Sequence, residues 1–580
     1  MNHRINRILC LLLLATTLAA CGAESSATTA PAAGVVNPPS RPAQSAAATM
    51  APQAPRQEEA AAATAMPVVP EAAPQAATEA PALGAVAPDA APAGDVAAAP
   101  NLDTLPVPNT AATSVPPPPD DEEIYDSMFF QNYGVNPFIS TVNDPQSTFA
   151  MDVDTASYSV MRRYVTDGNL PDPDSVRVEE YLNYFDYNYP QPENGDFAIY
   201  TEAAPSQFGG SAYEVVQIGI QGREVAAVNR KPAALTFVID VSGSMAREDR
   251  LGTVKQALAL LVGEMQADDT IAIAVYGSEA RAVLDVTSGA DQERILAAIN
   301  NLESEGSTNV EAGLRVGFGL ADEGFKPDGI NMVLLCSDGV ANNGVTDPDA
   351  LLDQYRSYLD QGIQLSTYGF GMGNFNDVLM ERLADAGDGT YGYIDTLDEA
   401  ERIFIENLSS TLQTIARDAK IQVEFDPSVV KRYRLIGYEN RDVADQDFRN
   451  DSVDAGEVGA GHSVTALYEI KRYPGAEGTI ATVRIRYQNA DNDTIIEAAQ
   501  TLSTASIRGM VADTTPRFKL ATSVAQYAEL LRHSRWVEGQ ELEDVIGLAQ
   551  SGARGFNNNQ DVTEFVNLLS YAAGLAPIRR

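Results

Sequence analysis

The chain has 580 residues, more than a single hydrophobic core usually serves, so several domains are expected. Aspartate and glutamate number 80 against 39 lysines and arginines, a formal charge of −41. A surface of that sign is repelled by phosphate backbones, which argues against nucleic-acid binding and leaves solubility as the plain reading of the acidity.

The first twenty residues read as a targeting segment. Arg4 and Arg7 form a positive start, residues 8–14 an apolar run too short to span a bilayer, and Leu18-Ala19-Ala20-Cys21 follows. The last four residues resemble a bacterial lipobox, which implies a lipoprotein signal peptide over 1–20 and a lipidated Cys21 as the first mature residue. Lipid chains there would anchor the protein to a membrane outside the cytoplasm. Residues 21–121 are dominated by alanine and proline with almost no aromatics. They cannot bury enough apolar surface to offset ordering and read as a disordered tether, roughly 50–60 Å end to end as a flexible coil.

Cysteine and histidine are scarce. Cys10 falls in the removed segment, Cys21 is the lipidation site, and Cys336 lies within an apolar run and reads as a small core residue, so the mature chain has no internal disulfide. His3 is removed, and neither His462 nor His533 lies near a motif that would make it a catalytic base or a zinc ligand.

Order is expected from about residue 122. Helical spacing follows Asp154-Thr155, and Asp172-Pro173 reads as the cap and first turn of a second helix carrying Val178, Tyr181, Leu182 and Phe185. Asp152, Asp154 and Ser157 suggest capping and turn chemistry more than a separate metal site. Strands are expected at 197–202 and 213–221. From about 231 to 416 strands and helices alternate, as in a mostly parallel sheet covered on both faces. Strands are read at 235–240, 270–276, 331–338, 363–370 and 390–394, with a short edge strand at 281–285. Helices are read at 250–265, 291–302, 310–321, 347–360 and 377–386, and from 397 onward.

The strand at 235–240 ends in Asp240, and Ser242 and Ser244 follow at alternating positions. Gly306-Ser307-Thr308-Asn309 precedes a helical run, and a second buried strand ends in Ser337-Asp338-Gly339. Parallel strands bring their C-terminal ends to one edge of the sheet, so Asp240 and Asp338 should share it. Together the three parts resemble the von Willebrand factor A (VWA) family and its metal-ion-dependent adhesion site (MIDAS). Carried over residue by residue, the resemblance implies that Asp240, Ser242, Ser244, Thr308 and Asp338 hold one divalent cation on exposed loops. Hard oxygen donors suit Mg²⁺ first, with Mn²⁺ or Ca²⁺ as alternatives. Gly369-Phe370-Gly371-Met372-Gly373 lacks the dinucleotide spacing and is similar to the glycine-rich loop of bacterial VWA domains.

After about 417 strand-like runs at 421–425, 433–438, 463–470, 479–487 and 494–499 suggest an antiparallel layer, and helices follow from Thr515-Pro516. The order resembles YfbK-type VWA lipoproteins, with family-specific segments before and after the VWA domain. The fold expected is α/β: a Rossmann-like, doubly wound, mostly parallel VWA sheet at 231–416, inserted in an α+β module with antiparallel strands made of 122–230 and 417–580. The N-terminal strands are too few for a layer of their own and should pair with those after Asp418, leaving the VWA domain protruding. The function implied is a non-enzymatic, membrane-anchored cell-envelope protein that docks a protein partner's Asp or Glu carboxylate on the metal. The alternatives are a structural envelope protein with a vestigial metal site, or an enzyme with its site in the flanking segments.

Overall fold

The computed structural model describes residues 128–575 apart from 209, 211, 340–347 and 373–374. Cys21 and the signal segment and tether expected over 1–121 lie outside the described residues. Among those described, no helix is long and apolar enough to cross a membrane.

The chain opens with β1 (Ile139–Ser140), β2 (Gln146–Ala150), α1 (Ala156–Thr166) and α2 (Val178–Asn183), then β3 (Phe197–Pro205) and β4 (Glu214–Gly222). Asp172 and Pro173 do not open α2 as expected. Asp172 caps a separate 3-10 turn, Pro173–Ser175, and the helix starts only at Val178. Asp-Pro supplies the geometry for a first turn, but a tight turn satisfies that requirement as fully as a helix does.

The inserted unit holds β5 (Ala233–Asp240), α3 (Arg250–Glu264), β6 (Thr270–Tyr276), β7 (Ala280–Ser288), α4 (Gln292–Asn300) and α5 (Val310–Glu323). It continues through β8 (Ile330–Ser337), β9 (Gln364–Phe370), α6 (Asp377–Asp385), β10 (Tyr391–Ile394) and α7 (Leu397–Glu401). The helix expected over 347–360 is instead two short ones, Pro348–Leu352 and Arg356–Leu359. Strand order is β10-β9-β8-β5-β6-β7, parallel except for β7, which returns antiparallel at the edge. Every residue of β5 and β8 is buried. Their continuous apolar runs follow from this position, since a central parallel strand has helices on both faces. Alternate side chains serve two cores. Leu235, Phe237 and Ile239 meet Val254, Leu258 and Leu261 of α3 on one face, and Val238 meets Leu314 and Phe318 of α5 on the other. Cys336 is buried in the first core, where burial pushes its thiol up to about 12.

The flanking module is completed by β11 (Thr414–Phe425), β12 (Val430–Ile436), β13 (Gly456–Gly459), β14 (Ser463–Arg472), β15 (Thr479–Asn489) and β16 (Ile495–Ser503). Three helices close it: α8 (Pro516–Leu531), α9 (Leu542–Ala553) and α10 (Gln560–Leu575). One sheet runs β1-β12-β14-β4-β3 and the other β13-β11-β15-β16, with β2 also on β11. Each sheet therefore pairs strands from before and after the insertion: Ile218 faces Ala466 across β4 and β14, and Phe149 faces Ile421 across β2 and β11. Val216, Ile218, Ile220, Ile421, Val423, Ile470 and Ile485 fill the space between the sheets. A further core joins Tyr158, Tyr181 and Phe185 to Val524, Tyr527 and Phe565.

The inserted domain does not protrude freely. Ala156, Val160 and Tyr164 of α1 belong to the same core as Val238, Leu314 and Phe318. Buried ion pairs accompany this packing: Arg162 Nε donates to Asp395 Oδ2 at 2.8 Å, and Arg441 sits among Asp152, Asp154, Glu381 and Asp385. Asp152 and Asp154 are thus arginine partners, which accounts for them without a metal.

Candidate metal centre

β5 delivers Asp240 to the C-terminal end of the parallel sheet, and β8 delivers Ser337 and Asp338 beside it, with Ile239 opposite Cys336 in the register. The chain leaves β5 towards β6 on one side and returns as β8 on the other, so this is the point where strand order reverses and a crevice opens. Backbone Ser242 N donates to Asp240 Oδ1 at 2.8 Å, and Ser337 Oγ donates to Asp240 Oδ2 at 3.1 Å. Gly339 N in turn donates to Ser337 Oγ at 3.0 Å, which orients that hydroxyl. The Oγ atoms of Ser242 and Ser244 lie 3.0 Å apart.

Thr308 arrives on a separate loop. Gly243 N donates to Gly306 O at 3.1 Å and Glu305 N to Val241 O at 2.5 Å, which bind this loop to the one carrying the serines. Gly306 is required there. It sits at φ +75°, and a Cβ would fall 2.3 Å from Ser278 Oγ.

The expectation of exposed ligands is corrected. Asp240, Ser242, Thr308 and Asp338 are all buried, and Ser244 is partly exposed. The crevice floor is walled by neighbouring loops, so its carboxylates are withdrawn from water although they lie beyond the strands. Burial, and then the nearby Asp338, raise Asp240 to about 7, against the smaller opposing effect of its hydrogen bonds. Asp338 Oδ1 is buried with no hydrogen-bond partner among the described residues. Two adjacent buried acids, an orphaned carboxylate oxygen and neighbouring hydroxyls form a hard, oxygen-only donor set. Such a set fits a divalent cation of the Mg²⁺ class.

Arg250, the first residue of α3, was not singled out from sequence. Its Nη1 donates to Asp338 Oδ2 at 2.8 Å, and its Nη2 donates to the carbonyl of Met372 after β9. Charge alone would not have found it, since the pair spans 88 positions. Asp388, Asp454 and Glu457 also bring carboxylate oxygens within 4.8 Å of one another. No buried, unpartnered group points into that cluster among the described residues, so no site is assigned there.

Comparison with known proteins identifies the domains of the chain. Family models match in three places: one described as von Willebrand factor at 124–215, one as von Willebrand factor type A domain at 235–340, and one as Uncharacterized protein YfbK, C-terminal, at 410–575. The uncharacterized protein YfbK of Escherichia coli (strain K12) is 34% identical over 472 residues, which cover 77% of this chain and 82% of that protein. The chain belongs to the YfbK family. A second relative, the uncharacterized protein sll0103 of Synechocystis, is 28% identical over 222 residues, covering 38% of this chain and 52% of its own. Among solved structures, a von Willebrand factor type A protein from Catenulispora acidiphila aligns at 17% identity with a TM-score of 0.38, covering 64% of this chain and 89% of its own. This chain thus combines a VWA domain, a class that often mediates protein–protein interaction and often binds divalent metal, with a module built from both flanks.

Proposed function

We propose that this YfbK-family protein is a cell-envelope docking protein whose VWA domain takes a protein partner through a divalent cation held by Asp240, Ser242, Ser244, Thr308 and Asp338. One observation carries the reading: two buried carboxylates meet hydroxyls at the crevice end of the sheet, and one carboxylate oxygen, Asp338 Oδ1, is left without a partner among the described residues. A bound divalent ion would compensate the two acids and offer an electrophilic centre to an incoming Asp or Glu carboxylate. The chain's own residues do the rest. Ser337 and the Ser242 amide orient Asp240, and the Gly243–Gly306 backbone bond holds the Thr308 loop in place. His462 and His533 both belong to the flanking module, so the VWA domain has no histidine to serve as a general base beside the cation site. A lipid on Cys21 would tether the protein to a membrane outside the cytoplasm, and residues 21–121 would space it from the surface.

Calorimetric titration of Mg²⁺ and Mn²⁺ into the wild type, Asp240→Asn and Thr308→Ala tests the ion. Binding to the wild type, with a loss of about tenfold or more in each variant, is expected. An absence of site-specific binding to the wild type removes the metal-docking reading. Capture of the partner from envelope extract should be lost on chelation, and capture that survives chelation moves the docking surface elsewhere. Labelling with a fatty-acid analogue, lost in Cys21→Ser, tests the anchor.

A further inference from the structure

The metal centre carries its own cation. Arg250 reaches Asp338 from the start of α3 with its side chain 5% exposed, and the pair measures 2.8 Å. The path is built for it. Gly371 sits at φ +78°, and a Cβ there would fall 2.1 Å from Arg250 Nε, so only glycine lets the side chain pass. The Met372 carbonyl takes a second guanidinium nitrogen, and Arg250 Nε has no partner among the described residues. The guanidinium is thus held by Asp338 on one side and by the loop after β9 on the other.

We propose that Arg250 is a resident counter-cation of the metal centre, one that compensates Asp338 in the ion-free protein and thereby sets a weak affinity for divalent ions. The inference rests on the metal reading above. Two effects of opposite sign act on that affinity. Arg250 orients Asp338 so that Oδ1 is left free, and outer-shell partners of this kind are ordinarily worth about 10–100-fold in metal affinity. It also places a positive charge one carboxylate away from a doubly charged ion in a buried site, where screening by water is weak. The repulsion is the larger effect, because charge enters as a product with the ion and both groups lie out of solvent.

Mn²⁺ titration of the full chain, by calorimetry, separates the two effects. Arg250→Gln removes the charge and is expected to bind Mn²⁺ about tenfold or more tighter than the wild type, while Arg250→Lys keeps the charge and stays within about threefold. Weaker binding by Arg250→Gln, or a tenfold loss in Arg250→Lys, overturns the proposal and leaves the metal reading intact, since the wild type still binds. Binding by Arg250→Gln alone supports the counter-cation proposal and, as above, removes metal docking from the wild type. Binding by neither protein overturns both. If Arg250→Gln fails to fold, as judged by circular dichroism, Arg250→Lys decides by the same threshold.

Discussion

Arg177 Nη1 donates to Asp377 Oδ2 at 2.5 Å across the seam between the flanking module and the VWA domain, and both side chains are almost wholly excluded from water. Arg177 also pairs with Glu180, and the Tyr391 hydroxyl donates to Asp377 Oδ1 at 2.7 Å. Removing one partner would leave the other charged and dry. Arg177→Gln is therefore expected to lower stability by about 3–5 kcal/mol in urea denaturation. A loss below about 1 kcal/mol would show that water reaches the seam and screens the pair.

The sheet pairings make the flanks mutually dependent. Residues 417–580 alone lack β2 and β4, which lie against β11 and β14. That fragment is expected to show no cooperative thermal transition by circular dichroism, and fusion to 128–230 should restore one. The fragment 231–416 keeps its whole sheet but loses Ala156, Val160 and Tyr164 from its core. It should melt below the intact protein. Equal melting would mean that α1 adds nothing to that core.

Gly317 of α5 rests directly on β5, where an added Cβ would fall 2.2 Å from Val238 Cγ2. Neither backbone can retreat without disturbing the strand that ends in Asp240. Gly317→Ala should cost about 1–3 kcal/mol despite its better helix propensity. The neighbouring Gly319 has open space around it, and Gly319→Ala should be neutral or mildly stabilising. The comparison is checked by denaturation of the two variants side by side.

His462 supplies a pH dependence. Its Nδ1 is buried without a partner among the described residues, and burial, then the positive Arg402, lower the imidazole from 6.5 to about 4. Between those values the unfolded chain holds a proton that the folded one refuses. Stability is full above about 6.5 and is lost as pH falls through the window, by at most about 1.4 kcal/mol per pH unit. His462→Gln should flatten that part of the profile of denaturation midpoint against pH. An unchanged slope would assign the acid sensitivity to other groups.

The sequence by itself determined what is written locally. The apolar run ending in Asp240, the two spaced serines, the loop of Thr308 and the strand ending in Asp338 are each contiguous, and hydrophobic periodicity places them at the ends of strands or, for Thr308, before a helix. The alternation of strands and helices around them was equally legible, because a buried parallel strand and an amphipathic helix have different periods. Tertiary structure alone decided the rest. The pairing of β2 with β11 joins residues 270 or more positions apart, and nothing in either strand names its partner, since main-chain hydrogen bonds are the same for every sequence. The burial of Asp240 and Asp338 was a matter of packing and not of pattern: the Thr308 loop is bonded to the serine loop, and Arg250 lies on Asp338. Arg250 reaches Asp338 only because Gly371, on a third strand's loop, leaves the space open. Long-range electrostatic partners are chosen by which side chains the fold excludes from water together, and that is settled only when the chain has closed.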